Sequence, residues 1–171
     1  MAYHFCPECG GELQPRFLET ENHERLVCRK CDFIFYQNPT PAAGVILFED
    51  HKICLVKRKF APRQGYWNLP AGFVEMNETV EAAAVREARE ETNLDVRVER
   101  LYGVYSAFDS PKVHVIVVFY LAKKIGGQLQ PGDDAIEARF FPLDEIPGDL
   151  AFQAHTEVIQ KFIFDLKNGN L

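Results

Sequence analysis

The chain has 171 residues, 47% of them hydrophobic, and a formal net charge of −6. That length holds one well-cored domain plus a small appendage, and the acidic balance argues against broad binding to a nucleic-acid backbone, which needs a basic surface. No apolar run is long enough to cross a bilayer, and Met1-Ala2-Tyr3-His4-Phe5-Cys6 lacks the basic and apolar regions of a signal peptide, so a cytoplasmic chain without a membrane partner is expected.

In chain order the first signal is cysteine. Cys6-Pro7-Glu8-Cys9 and Cys28-Arg29-Lys30-Cys31 form two C-x2-C pairs at a separation that suits a zinc site. Cytosolic thiols stay reduced, so tetrahedral zinc thiolate through Cys6, Cys9, Cys28 and Cys31 is the stronger reading and a redox dithiol pair the competing one. Gly10 and Gly11 give the backbone freedom to turn beneath the metal. So short a segment builds little core, so zinc is expected to supply much of its folding free energy. The ribbon is assigned to residues 1–36 and the larger domain to 37–171. Tyr36-Gln37-Asn38-Pro39-Thr40-Pro41, with two prolines and an asparagine, reads as an extended boundary segment.

Strands are then expected over 43–48 and 52–58, joined by a polar turn at Glu49-Asp50-His51, with the fifth cysteine, Cys54, buried in the second. Residues 63–67 read as a loop, and Asn68-Leu69-Pro70-Ala71-Gly72 leads into a helix for which Asn77 is the expected cap and Glu78 the opening residue. On that helix Glu90 and Glu91 lie about −60° and +40° around the axis from Glu87, so the three carboxylates share one face. Glu87 and Glu91 repel as an i,i+4 pair, and all three sit where the helix dipole already favours cations. A solvated acidic face would alternate with lysines; here Arg86 and Arg89 are the only cations, and the carboxylate surplus points to a hard divalent ion.

Further strands are expected over 95–99, 101–106, 113–122 and 137–141. Gly126-Gly127 and Pro131-Gly132-Asp133-Asp134 punctuate the loop before the last of these, and His114 reads as a half-buried strand residue rather than a catalytic one. Val158, Ile159, Phe162, Ile163 and Leu166 fall at helical spacing in a packing helix over 153–167. Strands interrupted by one central helix and closed by another imply an α/β or α+β layer fold with a mixed sheet.

Gly72, five residues, Glu78, seven residues, then Arg86-Glu87-Ala88-Arg89-Glu90-Glu91-Thr92-Asn93-Leu94 resembles the Nudix box at every charged position. Ala88 stands where the family has a larger aliphatic residue and Asn93 where it has glycine; asparagine tolerates the left-handed conformation that ends helices, so the turn is expected to survive. The resemblance sharpens the fold class to the α/β/α Nudix sandwich with a mixed sheet, preceded by a small four-cysteine zinc ribbon. With the ribbon, Leu69 to Glu75 and Phe141-Pro142-Leu143-Asp144-Glu145-Ile146-Pro147 it is similar to zinc-ribbon members acting on FAD and ADP-ribose. NADH pyrophosphatases share the ribbon, but their Ser-Gln-Pro-Trp-Pro-Phe-Pro run is replaced here by Ser106-Ala107-Phe108-Asp109-Ser110-Pro111.

That resemblance implies metal-dependent hydrolysis of a diphosphate bridge joining a nucleoside to a second moiety, releasing AMP from FAD or ADP-ribose. Alternatives are an NADH pyrophosphatase, an RNA cap hydrolase and a non-enzymatic nucleotide sensor; intact box glutamates count against the last. It implies Mg²⁺ or Mn²⁺ on Glu87, Glu90 and Glu91 with the Ala71 carbonyl, Arg86 orienting the carboxylates, and a base drawn from Glu87, Glu91 or Glu137. Structural Zn²⁺ is expected in the ribbon, and so is a homodimer because family members often pair. For the nucleotide's rings, Tyr36, Phe60, Tyr66, Trp67, Tyr105 and Phe108 are aromatic candidates beside loops, although most aromatics in such a chain are core. Tyr36, Trp67 and Phe108 are the preferred stacking residues, and Arg58, with Arg63 beside it in sequence, is the expected phosphate contact.

Overall fold

A computed structural model describes residues 3–109, 113–132 and 134–171. Met1 and Ala2 of the expected ribbon, Ser110 and Pro111 of the 106–111 run and Asp133 of the glycine-proline loop lie outside the described residues. The described residues fall into two compact units, 3–39 with 113 in one and 40–109, 114–132 and 134–171 in the other.

The smaller unit is a three-stranded antiparallel sheet of β1 (Leu13–Leu18), β2 (His23–Cys28) and β3 (Ile34–Phe35) in that order. One buried cluster is Cys6, Leu13 and Cys28, flanked by half-covered Leu26, Phe33 and Phe35, and Val27 of β2 is also buried. Two of these four buried side chains are cysteines, and the apolar stabilisation that such a unit can muster is small. Each C-x2-C turn closes on a left-handed residue, Gly10 (φ 69°) after the first and Asp32 (φ 55°) after the second. The Gly10 amide donates to the Cys6 carbonyl at 2.9 Å and the Asp32 amide to the Cys28 carbonyl at 3.1 Å.

The larger unit holds β4 (Thr40–Glu49), β5 (Lys52–Arg58), β6 (Trp67–Asn68), β7 (Ala71–Phe73), α1 (Val80–Thr92), β8 (Leu94–Ala107), β9 (Val115–Gly127), β10 (Ala135–Pro142) and α2 (Gln153–Lys167). The sheet runs β10-β5-β4-β9-β8, with β6 on β5 and β7 on β4; β4 and β9 are parallel and every other pair antiparallel. Alternate residues of β4 feed opposite faces, as the two-residue period of a strand requires. Ala42 and Ile46 join Val158, Ile159 and Phe162 of α2, whereas Ala43, Val45 and Leu47 join Ala83, Ala84 and Ala88 of α1. The result is the mixed-sheet α/β/α sandwich. Ala88 is fully buried, so the small residue in place of a larger aliphatic one belongs to an alanine face that lies close on the sheet.

The observed elements differ from the expectations at several points; the expected loop over 63–67 ends in β6 at Trp67, and β7 occupies part of the lead-in to the helix. The two strands over 95–99 and 101–106 are one, β8, because irregularities at Val98/Arg100 and Leu101/Gly103 absorb the residues that break its alternation. The cap of α1 is Thr79, whose Oγ1 accepts the Ala82 amide at 3.1 Å, so the helix starts two residues later than Asn77 and Glu78 implied. Gly126 and Gly127 complete β9 instead of leaving it; a Cβ at Gly127 would lie 2.3 Å from the Asn93 carbonyl oxygen, so the glycine permits that close approach. The left-handed end at Asn93 (φ 56°) is present as expected.

Candidate active site and zinc centre

In the ribbon the sulfurs of Cys6, Cys9, Cys28 and Cys31 lie within 4.8 Å of one another, and no disulfide joins any of the five cysteines. A Cβ at Gly11 would sit 2.9 Å from the Cys28 sulfur and 3.3 Å from that of Cys9, so the bare Gly11 backbone forms the floor of the cluster. Burial works against a thiolate at Cys28, but the Lys30 and Cys31 amides aimed at its sulfur bring it down to about 7. Cys31 goes the other way, up to about 12: the Phe33 amide favours its thiolate, yet hydrogen bonds with neighbouring sulfurs hold its proton. A dication resolves that contest, and four converging soft donors in a closed set suit zinc.

The glutamate face is built differently. Arg86 donates from Nη2 to Glu78 Oε1 (2.6 Å) and from Nε to Glu78 Oε2 (3.0 Å), from Nη1 to Glu87 Oε1 (2.7 Å) and Glu90 Oε2 (2.9 Å), and from Nη2 to the Phe73 carbonyl (3.0 Å). This single guanidinium, its own pKa raised chiefly by Glu78, organises three carboxylates; Glu78, held low by the same bond, serves as its anchor. Glu87 lies over Gly72, where a Cβ would come within 2.3 Å of its carboxyl carbon. Only glycine at 72 leaves that carboxylate its place.

Glu91 points inward. It is 7% exposed, and its Oε2 accepts the Ala71 amide at 3.0 Å. Burial raises its pKa to about 8, with the Ala71 amide and Arg58 opposing the rise and Glu87 and Asp134 adding to it. Burial likewise raises Glu87, against the pull of Arg86. Two partly desolvated carboxyls and a third on the same helix face, with oxygen donors only, fit a divalent ion such as Mg²⁺ or Mn²⁺, which would take the place of the protons that burial favours.

The loop before β10 closes the end of α1. The Gly132 amide donates to the Glu91 carbonyl (3.1 Å) and the Gln130 amide to that of Thr92 (3.0 Å), satisfying two carbonyls that a helix end leaves open. A Cβ at Gly132 would collide with the Glu90 carbonyl oxygen. This loop delivers Asp134 to the electrostatic neighbourhood of Glu91 and Arg58, a placement the sequence reading missed because nothing local marks it.

Of the expected site residues, Arg86, Glu87, Glu90, Glu91 and Ala71 come together, and Arg58 lies near enough to Glu91 to bias it. Burial lowers the pKa of Arg58, whose Nε donates to the Pro62 carbonyl (2.9 Å) and whose guanidinium stands 5.1 Å from the Phe152 ring centroid. Trp67 is instead a core residue, 7% exposed and edge-on to Phe141 at 4.7 Å. Phe108 is exposed and stacks on the His114 ring at 4.1 Å. Tyr36 belongs to the ribbon unit, where its hydroxyl donates to Glu21 (2.7 Å). Glu137 is exposed on β10 opposite Lys57. Asn68, buried within the segment that enters the box, and His155, buried against it, were not singled out by the sequence reading. The signal for His155 was present: it occupies the apolar stripe of α2 with Val158, Ile159 and Phe162.

Residues 38–162 match the NUDIX domain family and residues 4–37 the family described as Nudix N-terminal. The chain is 43% identical over 169 residues to an ADP-ribose pyrophosphatase of Methanocaldococcus jannaschii, covering 96% of this chain and 97% of that protein. It is 33% identical over 98% of its length to the NAD-capped RNA hydrolase NudC of Vibrio atlanticus, and spans 60% of that relative. The crystal structure of a NUDIX hydrolase from Nitrosomonas europaea superposes with a TM-score of 0.88 at 38% identity, covering 98% of this chain and 94% of the other.

Proposed function

The chain belongs to the Nudix hydrolase family, with a Nudix zinc ribbon at residues 4–37, and from that premise we propose that it cleaves the diphosphate bridge of ADP-ribose, giving AMP and ribose 5-phosphate. The observation that carries this substrate is the 43% identity, over almost the whole of both chains, to an ADP-ribose pyrophosphatase. FAD, yielding AMP and FMN, is the second substrate of the same class. Water attacks one phosphorus, the bridging P–O bond breaks towards the other phosphate, and the proton lost by the water passes to a base.

Bound at Glu87, Glu90 and Glu91, with the Ala71 carbonyl as a further ligand, Mg²⁺ or Mn²⁺ supplies charge neutralisation and a lower pKa for water. The protein's own groups do the rest. Arg86 keeps Glu87 and Glu90 from swinging into solvent, and the Ala71 amide fixes Glu91. Arg58, a cation beside Glu91, meets the diphosphate oxygens. Glu91 or Glu87 serves as the base from the helix, with Glu137 or Asp134 as the candidate from the β10 side. Phe108 offers an exposed ring face for the nucleotide.

The reading divides the chain at 36/37, places Zn²⁺ on the four thiols, and sets the enzyme in the cytoplasm, where those thiols stay reduced. A homodimer, common in the family, belongs to it and is checked by light scattering. Relatives named NAD-capped RNA hydrolase support a second reading, weakened by the net charge of −6. A panel of ADP-ribose, FAD, NADH and NAD-capped RNA, assayed with Mg²⁺ and with Mn²⁺, tests both: kcat/KM is expected to be highest on ADP-ribose. A value tenfold higher on NADH or capped RNA, about 1.4 kcal/mol of differential transition-state binding, overturns the substrate choice.

A further inference from the structure

The 67–71 segment carries Ala71 to Glu91, and several of its backbone groups find partners beyond the β6 and β7 pairings. The Trp67 amide donates to the Asp149 carbonyl (3.0 Å) and its carbonyl accepts the Ala151 amide (2.7 Å). The Leu69 carbonyl accepts Asn68 Nδ2 (2.7 Å), and the Pro70 carbonyl accepts the Val45 amide (3.0 Å). The Leu69 amide, fully buried, donates to Nδ1 of His155 in the first turn of α2, at 3.1 Å and 86 residues away in sequence. That imidazole is 6% exposed, edge-on to Phe119 (5.1 Å) and tilted against Phe152 (5.5 Å). Its surroundings enforce the acceptor: burial, then the nearby charge of Arg58, pushes its pKa down to about 3.

We propose that His155 is a positioning residue of the active site: by accepting the Leu69 amide it fixes the 68–71 segment against which Glu91 is aligned. Between the two bonds lies Pro70, whose ring fixes φ, so a shift at Leu69 is passed to the Ala71 amide rather than absorbed. The two helices thus grip one short segment from opposite layers of the sandwich, α2 through His155 and α1 through Glu91. An apolar side chain of similar size would fill the space but leave the Leu69 amide unpaired in the core, and the segment would move to find a partner. Fastening a ligand from its far side in this way governs metal affinity as well as turnover.

This inference rests on the hydrolase reading, and its test has readouts that do not. The zinc-loaded full chain is compared with His155→Leu, which has no acceptor, and His155→Asn, whose Oδ1 can take the place of Nδ1. In His155→Leu, Mn²⁺ binding followed by electron paramagnetic resonance is expected to weaken about tenfold, and kcat on ADP-ribose to fall by a similar factor with KM changed less than about twofold. His155→Asn is expected to recover most of both. Wild-type Mn²⁺ affinity in a folded His155→Leu protein, or an Asn variant as impaired as the Leu one, overturns the proposal. Should the Leu variant fail to fold, the unmodified ¹⁵N-labelled protein decides: scalar coupling across the bond between the Leu69 amide nitrogen and His155 Nδ1 is expected, and its absence overturns the assignment. If the unmodified protein cleaves no member of the panel, the hydrolase substrate fails while the Mn²⁺ and coupling measurements still judge His155.

Discussion

The ribbon and the glutamate helix both crowd ligands of one kind, yet they stand in opposite relations to the core around them. In the ribbon two of the four candidate ligands are core residues: Cys6 is 3% exposed and Cys28 1%, with Leu13 the other buried residue of their cluster and Val27 buried in the same unit. In the larger unit the apolar core is complete without the glutamates: Glu87 and Glu90 stand on the rim of α1 and Glu91 is buried against the Ala71 amide, while Ala83, Ala84 and Ala88 of the same helix pack against the sheet. Arg86 holds Glu87 and Glu90, so that face keeps its shape through an internal cation. On the proposed reading a metal would be a folding element in one unit and a catalytic element in the other.

The largest expected effect breaks the ribbon. Cys28→Ser removes a thiolate from a site whose zinc binding is worth about 10–16 kcal/mol in comparable small domains, far more than this core supplies. Zinc content should fall well below one per chain and amide protection should vanish over residues 3–37. The one tryptophan, Trp67, is buried in the larger unit, and its fluorescence is expected to keep a native melting transition. Loss of that transition together with the zinc would end the comparison.

The converse variant acts on the other unit. Phe162 is fully buried between α2 and the sheet, with Phe48 and Tyr102 edge-on to it at 5.2 and 5.9 Å. Phe162→Ala should cost about 3–5 kcal/mol of urea stability read at Trp67, and zinc should stay bound. Next in size is Glu90→Gln, which removes one charge from a partly exposed rim position and should leave both melting transitions in place. Turnover is expected to drop about 100-fold, equivalent to about 2.7 kcal/mol of transition-state stabilisation. Near wild-type rates at saturating Mg²⁺ would remove that face from the chemistry.

What could be read in advance follows the same division. The face of Glu87, Glu90 and Glu91 was legible because helical geometry alone brings i, i+3 and i+4 together, and the bounds of β5 and α2 follow from their apolar periodicity. Cys6, Cys9, Cys28 and Cys31 were legible because their spacing is the site. Illegible were the features that depend on remote partners. Trp67 is drawn into the core by Phe141, β8 runs unbroken because β9 tolerates its irregularities, and His155 finds its partner 86 residues away. Thr79 in place of Asn77 is a two-residue error that local capping chemistry could not resolve, since both residues cap well.

The smallest effect sharpens the contrast within the larger unit, where two buried groups titrate with opposite signs. His155 has a folded pKa of about 3 against 6.5 in the unfolded chain, so the unfolded state takes up the proton first and stability is lost as pH falls from 6.5 towards 3. Glu91 has a folded pKa of about 8 against 4.5, so its contribution is fully present below pH 4.5 and is lost as pH rises towards 8. Between pH 4.5 and 6.5 the two slopes oppose each other; above 6.5 only Glu91 acts. Without added Mg²⁺ or Mn²⁺, urea stability read at Trp67 should therefore fall by about 2 kcal/mol from pH 6.5 to 8, at about 1.4 kcal/mol per unit. Glu91→Gln, uncharged throughout, should lack that slope. Mn²⁺ requires the ionised carboxylate, so the stability it adds should grow over the same interval as the proton it displaces becomes easier to remove. Equal slopes in the two proteins would mean that Glu91 is already ionised in the folded chain, and that burial does not create the demand for a cation at this face.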